Sequence, residues 1–348
     1  MMKKVVIIGG GFAGSFAARA LEKDFMTTLI DTKDDFVYIP GTLRSLVQPS
    51  YNIEEKHQYY LPNTSFIKGH VKKIDPTHVL LNSGKKVLFD YLILATGSTY
   101  DTTLKKEGLV ETVKLQDMER IRKLIEKGEN ILLIGGGLVG VELAAEIITK
   151  YPDKNVKIVH SKSRLLHRTP QKVSQYAKKF LQKKGVKVLC NERIEKREKG
   201  YFLTSKQNKI AADIAFLCTG VQPNSGMIKE SLPKEVDKKG YVKVKETLQL
   251  AGYPNIFAAG DVVAIEEEKL AQNATLHATL IAKNIKRLEE GKPLMPYLSA
   301  ARKMVVSLGK YDGIYFDKSS MTTGLKAAFF KSMASKVFTK KGLRFLAT

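Results

Sequence analysis

Two clusters of glycines carry the strongest chemical signal in this chain. Gly9, Gly11 and Gly14 follow the apolar run Lys3-Lys4-Val5-Val6-Ile7-Ile8 and precede Ser15 to Lys23, where Phe16, Ala17, Ala20 and Leu21 recur at helical spacing. A strand, a glycine turn and a helix in that order suit a dinucleotide. Gly9 allows the tight turn, Gly11 lets a pyrophosphate approach the backbone, and Gly14 brings helix and strand together. The helix N-terminus then faces the phosphate charge. A second apolar stretch, Met26 to Ile30, ends in Asp31, about twenty residues beyond the turn, where a carboxylate accepts hydrogen bonds from ribose hydroxyls.

The pattern then restarts. Asn130 to Ile134 reads as a buried strand, Gly135, Gly137 and Gly140 repeat the turn, Val141 to Lys150 continues as a helix, and Val156 to Val159 as a strand. The second copy ends at His160, where the first has an acid. VLFDYLILATG, residues 87 to 97, is echoed by ADIAFLCTG, residues 212 to 220, so the repeat is of a whole nucleotide-binding unit.

Thr32 to Pro49 is rich in turn residues and predicts an excursion over the ligand rather than a core strand. Ser65 to Lys86 predicts a small antiparallel meander, and Val87 to Gly97 a buried strand ending in a small-residue turn. Met118 to Lys127 predicts an amphipathic helix, as does the stretch from about Ala271 to Glu289. Between them Tyr253 to Asp261 forms a further apolar strand ending in Gly260-Asp261.

The composition narrows the class. With 348 residues and 43% hydrophobic content the chain can fill two or three packed units. Its 58 basic and 35 acidic residues give +23, which favours an anionic partner: a membrane surface, nucleic acid or a phosphorylated cofactor. No apolar stretch is long enough to span a bilayer, and Met1 to Lys4 runs straight into the first strand, leaving no room for a signal peptide. Cys190 and Cys218 form no CxxC pair, which predicts inert packing residues in a reducing, cytoplasmic setting.

Two GxGxxG turns, Ala95-Thr96-Gly97, Cys218-Thr219-Gly220 and the IFAAGD segment ending at Asp261 occur in that order. In this the chain resembles the two-dinucleotide-domain flavoprotein reductases. The resemblance implies an α/β fold with two Rossmann-like dinucleotide-binding domains, glutathione-reductase-like, plus a small basic C-terminal segment. Residues 1–105 and 226–295 would bind FAD, 106–225 NADH or NADPH, and 296–348 would serve a quinone site, a membrane or a dimer contact. It also implies that FAD meets Gly9, Gly11, Phe12, Ala13, Gly14, Asp31, Lys33, Arg44, Val71, Ala95, Thr96, Gly97, Gly260, Asp261, Ala271 and Gln272. The nicotinamide cofactor would meet Gly135, Gly137, Gly140, Glu142, His160 and Gly220.

Ala271-Gln272-Asn273-Ala274 is similar to the AQxA segment of type II NADH:quinone dehydrogenases, where a helix N-terminus faces the flavin pyrimidine. Leu276-His277-Ala278 and Ser307 to Gly313 resemble the apoptosis-inducing-factor-like ferroptosis suppressor branch. Without a thiol pair, that resemblance implies an NAD(P)H:quinone oxidoreductase, with Glu142, Gln272 and His277 at the reacting rings and no metal. Pro40-Gly41 is a further candidate for the quinone wall. His160, Ser161, Lys162 and Arg164 offer positive charge and no acid, which predicts that NADPH is accepted beside NADH.

Residues 318 to 348 carry Lys318, Lys326, Lys331, Lys336, Lys340, Lys341 and Arg344 with no acid. Phe329, Phe330, Met333, Val337 and Phe338 fall on one helical face, which predicts a basic amphipathic segment that lies in a membrane interface or packs on a subunit. Two other readings stay open: a reductase of a ferredoxin-like protein, and a flavoprotein with non-specific nucleic-acid binding.

Overall fold

In the computed structural model the described residues are all except 101–109, 112–116, 199, 300–302 and 339–348. Lys4–Ile8 is a strand because its side chains are β-branched and apolar and are covered on both faces: Val5 to Ile8 are all buried. Each fully buried Val or Ile contributes about 1.5–3 kcal/mol. This strand is central in a six-stranded sheet ordered 249–250, 253–258, 91–94, 4–8, 26–31 and 65–68, parallel throughout except for the hairpin at its first edge.

A second sheet is ordered 110–111, 214–217, 130–134, 155–160 and 187–190, all parallel. The five parallel strands of the first sheet match those of the second in order. Ile8 pairs with Ile30 and Leu94, and Ile134 with Val159 and Leu217. The helices that follow the central strands are α1, Phe12–Leu21, and α2, Leu138–Lys150. Helix α3, Ala271–Glu289, packs along α1 over the first sheet. A three-stranded antiparallel sheet (304–307, 313–316 and 321–323) is covered by the last helix, α4, Leu325–Phe338. The ribbon of 98–100 against 221–223 ties the turn after one sheet to the turn after the other.

Two expectations need correction. The antiparallel meander comprises 71–74, 78–81 and 86–88, whereas Ser65–Lys68 joins the main sheet as its parallel edge. The strand expected over 87 to 97 is limited to Tyr91–Leu94, because 86–88 already belongs to the meander. The second error comes from reading continuous apolar character where Phe89-Asp90 turns the chain between sheets. Thr32 to Pro49 behaves as expected, contributing only a short ribbon, Asp35–Val37, and two short helices. The boundary expected at 105 lies outside the described residues.

Candidate active site

The first glycine turn is set by close backbone approach. A Cβ at Gly9 would stand 2.2 Å from the Ala95 carbonyl oxygen, and one at Gly14 would stand 1.8 Å from Gly9 O. Gly9 itself holds φ +103. The amide of Gly10 donates to Asp31 Oδ2, and the other carboxylate oxygen accepts from Lys33 N at 2.9 Å. Gly11 and Gly97 have open space where a side chain would be, and Thr96 Oγ1 is buried without a partner among the described residues. Bare backbone, an orphaned hydroxyl and a carboxylate in one place fit the phosphates and ribose of a dinucleotide.

The second turn repeats this geometry. A Cβ at Gly135 would meet the Cys218 carbonyl, one at Gly140 would stand 1.9 Å from Gly135 O, and Gly137 and Gly220 have open space. Here the Gly136 amide donates to His160 Nδ1 at 3.1 Å. Burial, and then His167 and Lys162, push the His160 imidazole below its ordinary value, so it is neutral and able to accept. Its Nε2 has no partner among the described residues. The Arg164 guanidinium donates to the carbonyls of Leu166, His167 and Thr169, which fixes its positive charge beside this turn.

A third turn closes the first sheet. Gly260 holds φ +75 and donates its amide to His277 Nδ1 at 3.1 Å, while Asp261 Oδ2 accepts from Ser98 Oγ at 2.6 Å. His277 is 1% exposed and its Nε2 lies 3.1 Å from Glu267 Oε1, so it stands beneath the turn rather than on an open wall. Glu267 also accepts from Tyr297 Oη and Ser299 Oγ. Burial, then Lys269, push His277 down to about 4. Ala271 is half-buried and Gln272 exposed in the first turn of α3, whose N-terminus carries no side-chain cap.

Glu142 lies in the second turn of α2. It is buried and accepts from Ser307 N at 2.7 Å and from Lys331 Nζ at 3.1 Å. Lys331 is the residue that sequence reasoning misplaced: it points inward from α4 instead of joining a solvated lysine face. Arg44, expected at the cofactor, bonds Glu146, Ser307 Oγ and the Gly309 carbonyl, tying the excursion to α2 and to the C-terminal sheet. Val71 opens the meander opposite Leu81. Phe12 and Ala13 are buried at the start of α1, with the Phe12 ring edge-on to Phe36 at 5.0 Å.

The two thiols lie at strand ends of the second sheet. Cys190 ends an edge strand of the second sheet and Cys218 follows strand 214–217, with 130–134 and 155–160 between them. Burial raises both, Cys218 to about 12, so neither is a thiolate at neutral pH.

Residues 3–278 match the model of the pyridine nucleotide-disulphide oxidoreductase family. The chain belongs to that family. It is an FAD-dependent oxidoreductase that uses a pyridine nucleotide. Ferroptosis suppressor protein 1 of Taeniopygia guttata is 35% identical, covering 89% of this chain and 87% of that one. Apoptosis-inducing factor homolog B of Dictyostelium discoideum is 31% identical over 98% of this chain and 94% of its own. Among solved structures, NDH2 from Plasmodium falciparum in complex with NADH superposes with TM-score 0.86 at 16% identity, covering 100% of this chain and 97% of that one. The sulfide:quinone oxidoreductase of Aquifex aeolicus gives 0.84 at 20%, with 96% and 90% covered. At such identities these two share the fold. Among the described residues no cluster suited to a metal occurs, and no helix is long and apolar enough to cross a membrane.

Proposed function

We propose that the protein is an FAD-dependent NAD(P)H:quinone oxidoreductase. In this reading 1–105 with 226–295 hold FAD, 106–225 hold the nicotinamide cofactor, and 296–348 serve the acceptor or the membrane. The observation that carries it is the location of the only two cysteines, both in the second sheet and both buried enough to stay protonated. A member of a disulphide oxidoreductase family without a dithiol must pass its electrons to something that diffuses in. Relatives named ferroptosis suppressor protein 1, and a like-folded sulfide:quinone oxidoreductase, support a quinone as that acceptor.

FAD, when bound, supplies hydride acceptance and two-electron release. The chain supplies alignment and electrostatics. Asp31 and the open backbone at Gly11 and Gly97 orient the adenosine end, and Asp261, fixed by Ser98, orients the middle of the cofactor. The uncapped N-terminus of α3 presents roughly half a positive charge to whatever negative charge collects there. Glu142, held by Lys331 and Ser307, orients the nicotinamide side, and His160 with Lys162 leaves a ribose 2′-phosphate unopposed, so NADPH is used beside NADH. The exposed stripe of Leu325, Phe329 and Met333, flanked by Lys326, suits an anionic lipid surface that would hold the enzyme beside a lipid-soluble acceptor.

An anaerobic titration tests this. NADH or NADPH should bleach the flavin band of the purified protein, and a short-chain quinone should restore it. A colourless protein, or recovery with a ferredoxin-like protein but not with quinone, overturns the reading. Failure of anionic vesicles to pellet the protein removes the membrane role alone.

A further inference from the structure

The dinucleotide fingerprint demands glycine at positions 9, 11 and 14 and leaves position 10 free. The structure makes Gly10 obligatory for a different reason. A Cβ there would stand 2.5 Å from His57 Cε1, 2.6 Å from its Nε2 and 2.8 Å from Asp31 Oδ2. An imidazole from a distant helical turn therefore fills the space behind the first nucleotide turn. His57 Nδ1 lies 2.6 Å from Tyr60 Oη, Tyr60 Oη 2.9 Å from Ser15 Oγ, and Ser15 Oγ donates to the Gly10 carbonyl at 2.8 Å. All three side chains are buried.

Counting protons gives this chain a direction. Ser15 has one hydroxyl proton, and Gly10 O, which has none, takes it. The bond between Ser15 and Tyr60 must then use the tyrosine's proton, and the bond between Tyr60 and His57 must use a proton on Nδ1. Burial keeps the imidazole neutral against the pull of Asp31, Asp35 and Asp34. A neutral ring protonated at Nδ1 has a bare Nε2, and Nε2 indeed has no partner among the described residues. Both polar groups of Gly10 are thus held by side chains: the amide by Asp31, the carbonyl by the relay. At the second turn the Gly136 carbonyl is held instead by the Leu166 amide at 2.8 Å, and Val141 stands where Ser15 does.

We infer that His57, Tyr60 and Ser15 are positioning residues for FAD, a directed relay that locks the Gly10 peptide in the orientation the dinucleotide needs. This rests on FAD occupying the first turn. The test is histidine-selective 15N NMR of the full-length flavoprotein, with the His57 signal assigned through His57→Gln, together with FAD titration of the apoprotein. The expected spectrum shows the proton on Nδ1 and none on Nε2, with reversal in Tyr60→Phe. Tyr60→Phe and Ser15→Ala should each weaken FAD at least tenfold, and the double variant no more than twofold beyond either. NADH binding at the second turn, left intact in both, reports that they fold. A wild-type proton on Nε2, additive losses, or FAD affinity within twofold of wild type in Tyr60→Phe overturns the relay. Wild-type protein that takes up no flavin instead overturns the assignment of FAD to this unit, and the tautomer still decides the relay.

Discussion

The two glycine turns are near-identical in backbone and opposite in what lies behind them. In each, the last fingerprint glycine packs on the carbonyl of the first: Gly14 against Gly9 O in one, Gly140 against Gly135 O in the other. Yet the amide of Gly10 meets a carboxylate, and that of Gly136 a neutral imidazole. The difference teaches that the turn's shape is dictated by sterics, while what its second amide meets is set by a single side chain at the end of the next strand. Sequence divergence between repeated units can therefore alter cofactor preference without touching the fold.

The largest expected effect comes from breaking one turn at a time. Gly14→Ala should yield protein without flavin, whereas Gly140→Ala should stay yellow and fail to be reduced by NADH. Absorbance and anaerobic reduction separate them. If either substitution abolished both properties, the units would not be independent sites. Making the turns alike comes next: His160→Glu should lower the NADPH-to-NADH ratio of kcat/KM about a hundredfold, near 3 kcal/mol, by setting a carboxylate against the 2′-phosphate. An unchanged ratio would move the phosphate away from His160.

Acid distinguishes carboxylate from imidazole. His277 has its folded pKa depressed to about 4, so the native state carries the neutral ring while the unfolded chain protonates near 6.5. Stability from this group is full above the unfolded value and is lost as pH falls from about 6.5 toward 4, at up to roughly 1.4 kcal/mol per unit. Urea titrations across that range should show the slope, and His277→Asn should flatten it. The smallest effect is expected from sulfur. Cys190→Ser with Cys218→Ala should leave quinone reduction within about twofold, since reactive thiols are thiolates; a collapse of turnover with retained flavin would restore a redox role for them.

Much of this was legible because it is local. Asp31 with its glycines, and His160 with its own, each lie within a single strand-turn-helix-strand unit, so the sequence order fixes their proximity. The relay behind Gly10 was not legible: nothing local links His57 to a turn so far upstream, and only folding brings that short helix beneath it. Glu142 was singled out, but its partner Lys331 is separated by 189 residues and looks like one lysine among many. Gly10 was the available hint, a glycine where the fingerprint asks for none. The end of the strand at Phe89 was missed because apolar character alone does not tell one sheet from the next.

Arg44 joins Glu146 on α2, Ser307 of the C-terminal sheet and Gly309 in the turn that follows it, from a short helix in the excursion after Asp31. A single fork of guanidinium hydrogen bonds thereby pins three parts of the chain together. Any swing of the two nucleotide units against each other would have to tear a largely sheltered charge from its carboxylate. The spacing of the two glycine turns is consequently cast by this pin rather than clamped by a moving lid.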